Sequence, residues 1–182
     1  MSHPHIVLIG LMGTGKTTVG RRLARRLGRD FIDTDAEVES RTSRSVRDIF
    51  ERDGESAFRD IEASVVSDCV TREVPSVIAA AGGAILRDSS RALIRDCETV
   101  IWLDAPVELL VSRTASRPGN GHRPLIDSDP AERLSSLKTD REHLYRETSV
   151  CRLDVSGFDV DGLVDHIVQD ILAMSADSEA PA

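Results

Sequence analysis

The sequence predicts an α/β protein in three layers, a five-stranded, mostly parallel sheet with helices on both faces. Short apolar runs alternate with segments of helical periodicity along the chain, as expected for strands buried on both faces and joined by crossover helices. The first apolar run, Ile6 to Ile9, leads directly into Gly10-Leu11-Met12-Gly13-Thr14-Gly15-Lys16-Thr17-Thr18, a phosphate-binding loop between strand and helix. The length, 182 residues, suits one core in which about 70% of the unfolded surface is buried. One domain over residues 1–174 is therefore expected, followed by a small, polar, disordered tail over 175–182.

Composition narrows the class. A net charge of −8 and a pI near 5.1 argue against a nucleic-acid partner, whose footprint is a basic surface. Cys69, Cys97 and Cys151 are odd in number and not closely paired. That disfavours a disulfide framework or zinc site, and the thiols read as small buried hydrophobes in a reducing, cytoplasmic setting. Met1 to His5 lacks the charged region of a signal peptide, and no apolar run is long enough to span a membrane. His3 and His5 are read as part of a frayed N-terminal tail with no metal role.

The elements follow in order. His5–Ile9 reads as the first strand. In the loop, Gly10, Gly13 and Gly15 let the backbone turn its N–H groups inward as an anion nest. Gly13, Thr14, Gly15, Lys16, Thr17 and Thr18 are the expected nucleotide contacts, with Lys16 reaching the outer phosphates of a nucleoside triphosphate and the Thr17 hydroxyl a ligand for Mg²⁺. The following helix carries Val19, Leu23, Ala24 and Leu27 on one face. Phe31-Ile32 reads as a second, short strand ending in Asp33 and Asp35, which at alternate strand positions point the same way. The carboxyl end of a strand beside a phosphate loop is a ligand position, so Asp33 is a candidate for Mg²⁺ through water and Asp35 for a substrate hydroxyl. The competing reading is that one of them caps a helix starting near Ala36.

The segment Ser45 to Glu62 completes a constellation: Ile49-Phe50, Gly54-Glu55, Phe58-Arg59 and Glu62. With the phosphate loop, the Phe31-Ile32-Asp33-Thr34-Asp35 element, a glycine pair after the third strand and an Arg-Pro segment, the chain resembles the shikimate kinases over nearly its whole length. The resemblance implies a P-loop kinase fold, ATP and Mg²⁺ as cofactors and shikimate as substrate, with Asp35 binding ring hydroxyls and Arg59 and Arg141 holding the carboxylate. Paired guanidiniums suit a carboxylate through forked hydrogen bonds. Glu62, three residues after Arg59, is placed to orient it. Arg141 and Arg146 both flank Tyr145, and only the family pattern separates them.

The third strand, Ser76–Ala80, leads to Ala81-Gly82-Gly83, where the resemblance expects three glycines. Gly82 and Gly83 are the expected substrate contacts. Alanine at 81 is silent if its φ is negative and strained if φ is positive, in which case a changed specificity follows. The fourth strand, Thr99–Leu103, ends in Asp104, read as a helix cap before Pro106 rather than a Mg²⁺ ligand. Arg113 ends the helix begun by Pro106 and is expected beside the adenine, against a plain charge at a helix C-terminus.

The turn-rich stretch Ser116 to Pro124 is expected to form a mobile lid over about 114–127. In the resemblance Arg123 reaches the phosphates on closure, with Arg117 the second candidate, and His122 is loop filler. Val150–Val155 reads as the fifth strand. The expected reaction is transfer of the ATP γ-phosphate to the shikimate 3-hydroxyl, with Lys16, Asp35 and Arg123 catalytic, in a monomer that contacts neither nucleic acid nor membrane. The alternatives are a related kinase for another cyclic polyol or carboxylate, and a non-catalytic nucleotide-binding regulator.

Overall fold

The computed structural model describes residues 3–115 and 129–172. All five expected strands are present, as β1 (His3–Ile9), β2 (Asp30–Asp33), β3 (Ser76–Ala79), β4 (Cys97–Asp104) and β5 (Cys151–Asp154). They form one parallel sheet in the order β2-β3-β1-β4-β5. Between and after them lie α1 (Lys16–Leu27), α2 (Thr34–Thr42), α3 (Val46–Val70), α4 (Asp88–Arg95), α5 (Val107–Ala115), α6 (Pro130–Thr148) and α7 (Val160–His166). Apart from Thr114 and Ala115, which end α5, the expected lid lies outside the described residues with Arg117, His122 and Arg123, as does the expected tail. Among the described residues no helix is long and apolar enough to cross a membrane.

β1 lies at the centre because its apolar run serves both faces: Ile6, Val7, Leu8 and Ile9 are all buried, as are Val100, Ile101 and Trp102 of the neighbouring β4. α1 packs Val19, Leu23 and Ala24 on the sheet. A Cβ at Gly20 would lie 2.6 Å from the Phe31 ring, so glycine there lets the helix approach the edge strand. α1 ends at Gly28, whose left-handed φ of 64° allows its N–H to return to the last turn. α3 opens with a capping box between Ser45 and Asp48 and breaks at Gly54 (φ 83°), so Glu55 to Val70 take a new direction that carries Arg59 and Glu62 inward.

Two expectations are corrected here. Asp33 ends β2, but Asp35 stands in the first turn of α2, which begins at Thr34; the two carboxylates therefore do not share one face of a strand. His5, read both as the start of the first strand and as part of a frayed tail, is fully buried in β1, so the tail reading fails. Its ring spans two segments: the Ser76 N–H donates to Nδ1 (3.2 Å), and Nε2 lies 3.0 Å from the Arg72 carbonyl, to which it donates as the neutral Nε2–H tautomer.

Burial lowers the His5 pKa from its ordinary 6.5, and protonation of Nδ1 would break the bond from Ser76. The fold thus holds the neutral ring: this contribution is complete above 6.5 and is lost as pH falls through the lowered folded value. NMR titration of the His5 ring carbons is expected to give a midpoint below 6.5 and a loss of stability on acidification; a midpoint at or above 6.5 contradicts the buried neutral ring.

Candidate active site

Because β2, β3 and β1 are neighbours, their carboxyl ends lie side by side, and the segments leaving them converge at one edge of the sheet. The phosphate loop leaves β1. Gly10, Gly13 and Gly15 have φ of 137°, 86° and 96°, conformations that side chains resist. A Cβ at Gly10 would stand 2.1 Å from the Leu103 carbonyl oxygen. Thr14 is buried and donates through Oγ1 to the Leu11 carbonyl (2.8 Å). The Lys16 ammonium lies across the loop, donating to the carbonyls of Gly10 (2.7 Å) and Leu11 (3.0 Å). From the last turn of α5, Arg113 donates to the Gly13 carbonyl at 3.4 Å. Thr18 is exposed on the first turn of α1.

Asp33 joins the loop to β2. Its Oδ2 accepts from Thr17 Oγ1 (2.6 Å), while Oδ1 accepts from the amides of Asp35 (3.1 Å) and Ala36 (3.5 Å). Asp33 is therefore both the N-cap of α2, as the capping reading has it, and the partner of Thr17. Hydroxyl and carboxylate oxygens are the hard donors Mg²⁺ takes, and the pair fits that ion. Among the described residues no three His, Cys, Asp or Glu gather to hold a metal.

The turn after β3 carries the second half of the site. Thr34 Oγ1, buried, accepts from the Ala81 amide (2.8 Å). Ala81 is absent from the residues of positive φ, so its departure from glycine carries no backbone strain. Gly82 offers its carbonyl oxygen to Arg141 Nη1 (3.1 Å) and to the Tyr145 hydroxyl (2.7 Å), both from α6. Gly83 lies against Arg59, whose Nη1 would be 2.0 Å from a Cβ there. Arg59 and Arg141 are only 9% and 5% exposed, while Arg146 is exposed and paired with Glu142. Of the two arginines flanking Tyr145, the geometry brings Arg141 to the glycine turn.

Arg59 is set by its neighbours. Its Nη1 donates to Glu62 Oε2 at 2.6 Å and its Nη2 to Glu55 at 3.2 Å, with the Phe58 ring 5.1 Å below. Burial raises the Glu62 carboxyl above its ordinary value, and the charges of Arg59 and Arg141 oppose that rise. The other oxygen, Glu62 Oε1, is buried without a hydrogen-bond partner among the described residues.

Sequence reasoning missed Thr34, whose hydroxyl has no motif to announce it. It also misread Asp104. The hydrogen bonds accepted by that buried carboxylate come from Lys138 (3.1 Å) and Arg152 (2.5 Å) and not from a helix amide. Lys138 and Arg152 stand 34 and 48 residues along the chain from Asp104, which no local pattern reveals.

A sequence model described as shikimate kinase matches residues 12–172. The shikimate kinase of Chromobacterium violaceum is 42% identical over 166 residues, covering 91% of this chain and 88% of that protein. That of Symbiobacterium thermophilum is 46% identical over 150 residues, covering 82% and 85%. The solved structure of shikimate kinase from Acinetobacter baumannii in complex with shikimate superposes with a TM-score of 0.87 at 39% identity, covering 94% of each chain.

A methyl group at Gly83 has to displace the Arg59 guanidinium from Glu62. Gly83→Ala is expected to lower stability by about 1–3 kcal/mol, the usual cost of overpacking, measured by denaturant unfolding. An unchanged midpoint means that the guanidinium moves aside freely and the contact is not a constraint.

Proposed function

The chain belongs to the shikimate kinase family, and from that membership we propose that it transfers the γ-phosphate of ATP to the 3-hydroxyl of shikimate, giving shikimate 3-phosphate and ADP. The observation that carries the reading is the seating of two buried guanidiniums, Arg59 and Arg141, on consecutive glycines at the same sheet edge as the phosphate loop. A small anionic polyol needs its carboxylate gripped at one end and one hydroxyl aligned with the phosphorus at the other.

In this reading the amides of Gly13 to Thr18 and the Lys16 ammonium hold the phosphates, and Arg113 packs beside the base. Thr17 and Asp33 hold Mg²⁺, which when bound neutralises charge on the phosphate oxygens. Arg59 and Arg141 clamp the carboxylate, with Gly82 and Gly83 lining that end. Asp35 orients the 3-hydroxyl and takes its proton as the oxygen attacks in line. Lys16 and, from the lid, Arg123 stabilise the charge that spreads over the transferred group. Lid closure excludes water and so suppresses ATP hydrolysis. The chain works as a single domain, a monomer of the cytoplasm that contacts neither nucleic acid nor membrane.

The motive for a different polyol substrate was strain at Ala81, and the φ found there removes it.

ADP release in a coupled assay with ATP and Mg²⁺ is expected with shikimate and not with quinate, gluconate or AMP. Asp35→Asn and Lys16→Ala are expected to cost at least about 100-fold in rate, with the fold intact by circular dichroism. Full activity in Lys16→Ala, or turnover on another of the four acceptors in place of shikimate, overturns the assignment.

Ala81→Gly tests the glycine position separately. It is expected to leave kcat/KM unchanged and to lower stability by about 0.4–1 kcal/mol through the freer unfolded chain. A gain in activity would show that Ala81 strains the turn.

A further inference from the structure

Tyr145 has no part in the reading above, yet its environment is specialised. It lies on α6 one helical turn after Arg141 and is fully buried. Its ring stacks on Trp102 of β4 with centroids 5.7 Å apart, and the Arg152 guanidinium lies 4.8 Å from the Trp102 ring on behalf of the Asp104 cluster. The hydroxyl donates at 2.7 Å to the Gly82 carbonyl, the same oxygen that accepts from Arg141 Nη1 at 3.1 Å. Burial raises the pKa of this phenol far above its ordinary range, so it is a donor at every working pH.

A carbonyl has two lone pairs, and here α6 takes both. Because the peptide is planar and trans, an oxygen fixed toward α6 sends the Gly83 N–H to the opposite side. The same bond sets where Arg141 stands, since the two donors share one acceptor. Glycine at 82 and 83 leaves this peptide with little conformational restraint of its own, so the restraint has to come from outside it. Thr34 holds the turn at the Ala81 amide; among the described residues the hydrogen bonds to the Gly82 oxygen come from Arg141 and Tyr145.

We infer that Tyr145 is a positioning residue for the substrate carboxylate: its hydroxyl fixes the Gly82–Gly83 peptide and, through the shared oxygen, the Arg141 guanidinium. Tyr145 acts through these two groups. The inference rests on the shikimate reading for what the site grips, but not for the restraint itself.

The test is Tyr145→Phe, which keeps the ring on Trp102 and removes only the oxygen. Emission of Trp102, the single tryptophan, and the melting temperature report whether the packing survives. In the ligand-free protein, hydrogen exchange at the Ala84 amide, which closes the turn on the Ala81 carbonyl (3.0 Å), is expected to speed up in the variant. In the assay, the KM for shikimate is expected to rise roughly three- to tenfold, the effect of one lost buried hydrogen bond, with the KM for ATP unchanged. In an Arg141→Lys background the same change is expected to cost less, because both residues act through one oxygen. Unaltered Ala84 exchange, equal rises in both KM values, or an effect fully additive with Arg141→Lys each overturn the inference. Absence of turnover by the wild-type protein with shikimate sinks the functional reading instead, and the exchange measurement still decides whether Tyr145 holds the turn.

Discussion

Two guanidinium groups held out of water set the terms for the site. An ionised side chain removed from solvent is tolerated only where charge and hydrogen bonds replace the water it loses. Arg59 meets that demand with Glu62 and Glu55 and with the aromatic faces of Phe50 and Phe58. Arg141 meets it with a backbone carbonyl. Much of the local sequence answers to these two side chains. Gly83 has no Cβ because the Arg59 head occupies its place. Glu62 accepts a burial that raises its own pKa because its partner is 2.6 Å away. The break at Gly54 lets a 25-residue segment that would otherwise run straight turn these groups inward.

The sheet supplies the other half. Strand order puts the ends of β1, β3 and β2 next to one another, and three hydrogen bonds tie them: Thr17 to Asp33, the Ala81 amide to Thr34, and the Ala80 amide to the Leu8 carbonyl (3.0 Å). Phosphate loop, acidic element and glycine turn are thereby one rigid edge rather than three loops. Such an edge suits phosphoryl transfer, where catalysis is mostly positioning and charge stabilisation.

The strands and the phosphate loop were legible in the sequence because both signals are local: continuous apolar runs such as Ile6–Ile9, and glycines at fixed spacing before Lys16. Arg59 and Glu62 were legible because a helix makes residues three apart neighbours. Where reasoning failed, the determining contact was distant or the local element was mistaken. Asp35 was placed by strand alternation, but Asp33 caps α2 so early that the helix has already begun at Thr34. The partners that fix His5 in the core are distant in sequence: Arg72 comes from the turn after α3 and Ser76 from β3. Asp104 was read from the proline that follows it, while its real partners, Lys138 and Arg152, are brought by α6 and β5. Choosing between Arg141 and Arg146 likewise required knowing which side of α6 faces the glycine turn.

The central claim is that this buried pair of guanidiniums grips a carboxylate. Calorimetric binding of shikimate compared with its methyl ester, which keeps every hydroxyl and removes only the charge, tests it most directly. The account predicts that the ester binds at least about tenfold more weakly, the value of a charge-assisted hydrogen bond or more. Equal affinities would mean that Arg59 and Arg141 are structural and that the substrate is held elsewhere.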